Sequence, residues 1–119
     1  MNTTIRGQIG EGLSAESYQK QGFIILKRDY RFGRAEVDII AQKGNILAIV
    51  EVKWCSNTYF GDPQSFVSKK QQRSLITAAN HYVNSNHLDV SVRFDVVSIV
   101  GQQPKIDIQI IENAFYPFP

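Results

Sequence analysis

Two apolar runs dominate the middle of the chain. Ala35 to Gln42 and Asn45 to Lys53 are rich in Val and Ile and predict strands, with Lys43-Gly44 between them as a two-residue hairpin turn. Upstream, an imperfect stripe at Ile9, Leu13, Ser17 and Tyr18 predicts a helix over residues 8–21 that Gly22 ends, and Phe23 to Leu26 reads as a short apolar strand. Downstream, Ser56 to Pro63 is dense in turn residues. From Ser65 to about Asn84 the pattern Phe66, Lys70, Leu75, Ala78, Ala79, Tyr82 and Val83 suits an amphipathic helix that packs on the sheet. Val90 to Val100 and Ile106 to Ile111 are two further strands. The second alternates with Asp107 and Gln109, as a half-exposed strand near a sheet edge does. Ala114 to Pro119 form an aromatic tail suited to docking on the core, on a second copy or on a partner. The order helix, three strands, helix, two strands favours an α/β fold with a mixed central sheet flanked by helices.

The central hairpin breaks the pattern in one respect. Glu36, Asp38 and Glu51 lie inside strands that otherwise bury aliphatic side chains, and Lys53 follows two residues after Glu51. An ionised carboxylate in apolar surroundings is costly unless it is paired or holds a cation. With an even-numbered loop, Asp38 faces Ile49 and Glu36 faces Glu51, so that all four charged residues share one sheet face and Val37, Ile39, Val50 and Val52 point into the core. An odd loop would send the acids to opposite faces. Glu36 directly opposite Glu51 would weaken a purely structural hairpin, whereas a divalent cation between acids converts repulsion into binding. The plain alternative is a set of salt bridges among Asp38, Glu51, Lys53 and Arg34.

Composition adds limits. A chain of 119 residues with 43% hydrophobic content is expected to form one domain, residues 1–119, with a real core. No run reaches the length of a membrane span and the N-terminal stretch lacks the apolar segment of a secretion signal, so a cytoplasmic protein with no membrane partner is expected. The single cysteine, Cys55, excludes an internal disulfide. His81 and His87 lack a partner at metal-binding spacing. A net charge of +2 decides little by itself. The basic residues nevertheless cluster on both sides of the acids: Lys27, Arg28, Arg31 and Arg34 before them, Lys69, Lys70 and Arg73 after them. Such flanks suit a polyanionic phosphate backbone, and the plain alternative for each is a solvated surface.

Asp38 followed by Glu51-Val52-Lys53 resembles the D...ExK signature of the PD-(D/E)XK nuclease superfamily, whose fold is restriction-endonuclease-like. Gly10-Glu11, Gly22 to Leu26 with Asp29-Tyr30-Arg31, Glu36 to Ile40, Val50 to Lys53 and Arg93 to Val97 are similar to the successive motifs of the YraN-like family of predicted endonucleases. The stretch from Val37 to Lys53, with a glutamate in the preceding helix at Glu11, also resembles archaeal Holliday junction resolvases. Departures are Ala35 where the family has glycine, Ser14 for alanine, Asp29 for asparagine, and Trp54-Cys55. A family lysine of the second helix falls at Lys70 or Gln71.

The resemblance implies a metal-dependent endonuclease acting on DNA, including branched DNA. The bare chemistry agrees: Mg2+ or Mn2+ takes one or two protein carboxylates, here Asp38 and Glu51, with the Val52 carbonyl as a further oxygen ligand. Lys53 would orient the attacking water and offset negative charge. Glu11 would reach the ion through water or bind a second one, with Glu36 and Gln71 in support. Arg28, Arg31, Arg34, Lys69, Lys70 and Arg73 would bind nucleic acid. Cutting both strands of a junction needs two sites, which a homodimer would supply. The competing expectation is a non-catalytic nucleic-acid- or protein-binding module of the same fold.

Overall fold

A computed structural model describes residues 3–55, 67–102 and 105–115 of the protein. Seven elements follow one another: α1 (Thr3–Lys20), β1 (Ile24–Phe32), β2 (Ala35–Lys43), β3 (Ile46–Cys55), α2 (Lys69–Ser85), β4 (Ser91–Gln102) and β5 (Lys105–Ile111). The Ser56 to Pro63 loop with Tyr59 and Phe60, the predicted helix start at Ser65 and Phe66, and the tail from Tyr116 lie outside the described residues.

The order αβββαββ is the expected one, and the five strands form a single mixed sheet in the order β1-β2-β3-β4-β5. Only β3 and β4 are parallel; the other three pairings are antiparallel. A parallel pair cannot be closed by a tight turn, so α2 serves as the crossover between them. Ser68 caps α2, its side chain accepting from the Gln71 amide at 3.1 Å.

Each helix covers one face. On the α2 side, Leu75, Ala78, Ala79 and Tyr82 pack with Val37, Ile40, Leu47, Ile49, Phe94 and Val96. On the α1 side, Ala15 and Tyr18 pack with Ile39, Ala41, Ala48, Val50, Val97 and Ile99. Ala114 and Phe115, the start of the aromatic tail, belong to the α2-side core, and Phe115 stacks on Phe94 with ring centroids 5.0 Å apart. Among the described residues no helix is long and apolar enough to cross a membrane.

Four expectations need correction. First, β1 runs six residues past Leu26, because an edge strand is held by its pairing to β2 and needs little burial of its own side chains. Second, the hairpin turn is Gly44-Asn45, with Gly44 at φ 59, so the last pair is Lys43↔Ile46. The loop stays even, which keeps the parity, but every pairing moves by one residue on each strand: Ile40, and not Asp38, faces Ile49. Third, Glu36 does not face Glu51; it pairs with Arg31 of β1. Fourth, Val37 lies in the α2-side core while Ile39, Val50 and Val52 lie on the α1 side. Residues two apart on a regular strand share a face, so the alternation of β2 slips at Asp38.

Candidate metal centre

The slip at Asp38 coincides with two other departures from regular sheet. The paired ladder between β2 and β3 runs from Lys43↔Ile46 to Ile39↔Val50 and stops one residue before Asp38. There the Asp38 carboxylate itself accepts a hydrogen bond from the Val52 amide at 2.8 Å, taking the place of a backbone carbonyl. Across on β1, Asp29 holds φ 53, a left-handed conformation that aspartate tolerates better than most side chains.

These irregularities bring acids together. Glu11 of α1, Asp29 of β1 and Asp38 of β2 each offer a carboxylate oxygen, and the three oxygens lie within 4.8 Å of one another. Glu11 is 7% exposed, and its Oε1 is buried with no hydrogen-bond partner. A buried carboxylate oxygen left without a donor is costly, and a cation is the partner that would satisfy it beside two further acids. Gly10 allows the approach of α1: a Cβ there would stand 2.5 Å from the Trp54 Nε1, which itself donates to the Arg6 carbonyl at 3.0 Å.

Glu51 and Lys53 reach the centre from the other side of the sheet. Lys53 Nζ stands 3.5 Å from Glu51 Oε1 and donates to Gln71 Oε1 of α2 at 3.3 Å. The expected single face for the charged residues is therefore corrected: Asp38 joins the acids beside α1, Glu51 and Lys53 meet α2, and both sets adjoin the gap where β2 and β3 separate.

Electrostatics tie the two halves. Burial first, then the neighbouring Asp38 charge, pushes the Glu51 carboxyl up to about 7, against the opposing pull of Lys53. Burial raises Asp38 to about 6 despite the Val52 hydrogen bond, with Glu36 and Asp29 adding to the rise. Glu11 goes to about 8, through burial and then Asp29 and Asp38, and Arg28 opposes the shift.

The expected basic set divides. Arg34 and Lys70 line a cavity of about 280 Å³ together with Glu36 and Gln71, and an adjoining cavity of about 400 Å³ adds Arg73. Arg31 is engaged by Glu36 at 3.7 Å. Lys69 is exposed on the first turn of α2 and lines neither cavity. Arg93 and Asp95 form the structural bridge their spacing suggests: Arg93 Nε and Nη2 donate to the Asp95 carboxylate, which also accepts from the Tyr18 hydroxyl at 2.7 Å. Both histidines are exposed and stand outside the acidic group.

Asp29 is the site residue that sequence reasoning missed as a ligand. Its signal was an acid inside a basic run, Lys27-Arg28-Asp29-Tyr30-Arg31. Recognising it required knowing that β1 continues far enough to lie beside Asp38.

Fold and site together define a mixed five-stranded α/β fold in the expected αβββαββ order with a group of acids able to hold a metal ion. The family model described as "Uncharacterised protein family UPF0102" matches residues 10–99, and the chain belongs to that family. It is 47% identical over 112 residues to a UPF0102 protein of Flavobacterium psychrophilum, with 94% of each chain covered. A UPF0102 protein of Christiangramia forsetii is 45% identical over the same coverage, and one of Bacteroides thetaiotaomicron is 38% identical over 93% of this chain and 92% of its own. A solved structure, Pyrococcus furiosus SfsA in complex with Ca2+, is similar at TM-score 0.43 and 13% identity, over 94% of this chain and 64% of that one.

Proposed function

We propose that this protein is a divalent-metal-dependent endonuclease that hydrolyses phosphodiester bonds in DNA, including branched DNA. The observation that carries the reading is the group of Glu11, Asp29 and Asp38 with the unpartnered, buried Glu11 Oε1, set beside the Glu51–Lys53 pair. Asp38 and Glu51, which approach the β2–β3 gap from its two faces and are near enough for the Asp38 charge to raise the Glu51 carboxyl, would hold Mg2+ or Mn2+ there with the Val52 carbonyl, and Glu11 and Asp29 extend the set toward α1. The ion would supply charge neutralisation at the phosphoryl oxygens and acidify water.

The chain's own groups do the rest. Lys53 is fixed between Glu51 and Gln71, so its ammonium is held in place beside the acids and can pair with a phosphoryl oxygen without a search through rotamers. Asp38 locks the β2–β3 gap by its bond to Val52, which fixes the spacing between the acids. Arg34, Lys70 and Arg73 supply sequence-independent contacts to the sugar-phosphate backbone. Cleavage of two strands in one encounter requires a pair of chains, each contributing one such centre.

Incubation with duplex, flapped and four-way DNA, with and without Mg2+ or Mn2+, tests the reading. Metal-dependent cleavage is expected, reduced about 100-fold or more in Lys53→Ala through loss of an aligned cation. Cleavage at full rate in that variant would assign the activity to another site or a contaminant. Binding without cleavage under every metal would leave the non-catalytic module.

A further inference from the structure

The two cavities form one trough. They share Arg34, Lys70 and Ser74. The first is bordered by Gln71, which accepts from Lys53, and by Glu36, whose charge is felt at Asp38, so it opens beside the Glu51–Lys53 pair on the α2 side of the centre. The second continues past the Phe32–Ala35 turn along α2.

A stripe on α2 forms its wall. Lys70, Ser74, Thr77 and His81 are spaced four, three and four residues apart, the interval of one helix face, and the stripe spans about 16 Å at the rise of an α-helix. Its first three members are lining residues, and Arg34 and Arg73 stand exposed beside them. At the end remote from the acids, Phe32 is 38% exposed, and the His81 imidazole stacks on it with centroids 3.9 Å apart and planes 14° from parallel. An exposed aromatic pair at the end of a cationic trough combines the two elements that hold single-stranded nucleic acid: charge along the backbone and a flat platform for a base.

We infer that this trough binds an unpaired DNA strand, with phosphates on Arg34, Lys70 and Arg73 and one unpaired base stacked on the Phe32–His81 pair. The inference deepens the reading of the acidic centre as a phosphodiesterase by assigning its substrate class, DNA with a duplex-to-single-strand boundary. It also gives a reason for the exposure of Phe32, since a paired base inside a duplex has no free face to offer.

Fluorescence anisotropy in EDTA with labelled blunt duplex and the same duplex carrying a single-stranded overhang tests it without any need for cleavage. The wild-type protein should bind the overhang about tenfold tighter than the blunt duplex, the scale of one base–aromatic stack. Phe32→Ala with His81→Ala should abolish that preference while leaving blunt-duplex binding in place, and Arg34→Ala with Arg73→Ala should weaken both. Asp38→Ala should keep the preference, so failure here is distinguishable from failure of the nuclease reading. Should the aromatic double variant lose its fold, photocrosslinking of the wild type to 5-iododeoxyuridine in the overhang decides, and the crosslink is expected at Phe32 or His81. Equal affinity of the wild type for the two DNAs, or a crosslink confined to other residues, would overturn the inference.

Discussion

Glu11 has the most at stake among the individual residues, because its carboxylate is buried beside two other acids with one oxygen unpartnered. A free carboxyl in the unfolded chain titrates near 4. In the fold Asp38, Glu51 and Glu11 keep their protons up to about 6, 7 and 8. The folded state therefore binds more protons than the unfolded chain between these limits, and its stability falls as pH rises through that window. Metal-free protein should lose about 5 °C or more in Tm between pH 5 and pH 8.5, and Glu11→Gln should flatten the upper part of the fall. Thermal scans in EDTA at several pH values check this, and a Tm that climbs over the same range would contradict it. Saturating Mg2+ should recover more at pH 8 than at pH 5 in the wild type, since metal and proton compete for the same oxygens.

At the scale of elements, the site depends on how closely α1 approaches the sheet. Gly10 provides for that approach, and a methyl group there would collide with the Trp54 ring, which is held by its bond to Arg6 and by the Arg6 guanidinium 4.6 Å above it. Gly10→Ala should cost about 1–3 kcal/mol in urea unfolding and shift Glu11 away from Asp38, weakening the stabilisation by metal. Unchanged stability and metal response would show that the packing of α1 is not what sets the cluster. The elements themselves were legible in unequal degree. β2 and β3 announce themselves because buried central strands must be aliphatic, and α2 because it covers a sheet face with one stripe. β1 is legible in the sequence as far as Leu26 and no further, since Lys27 to Phe32 carries charge on an edge strand stabilised by backbone pairing. The register of the β2–β3 hairpin was missed by one residue in each strand because Lys43-Gly44 and Gly44-Asn45 are both acceptable turns, and only the fold selects between them.

Over the whole molecule, the acids come from four elements, α1, β1, β2 and β3, and sequence alone shows which are out of place without showing where they meet. Asp38, Glu51 and Lys53 were readable because charge in a buried strand needs a reason. Glu11 was readable through the resemblance. Asp29 was not, because its role depends on the left-handed residue in β1 and the slip in β2 that together bring it toward Asp38. The Tyr18–Asp95–Arg93 network adds a long-range tie of the same kind, joining α1 to β4 through a buried aspartate.

In the proposed nuclease these acids converge in order to hold a divalent ion. Calorimetric titration of the protein with Mg2+ and with Mn2+, run side by side with Asp38→Ala, measures that directly. Saturable heat with a matching rise in Tm in the wild type, absent from the variant, is the predicted result. No saturable binding in the wild type, or equal binding by the variant, would contradict it.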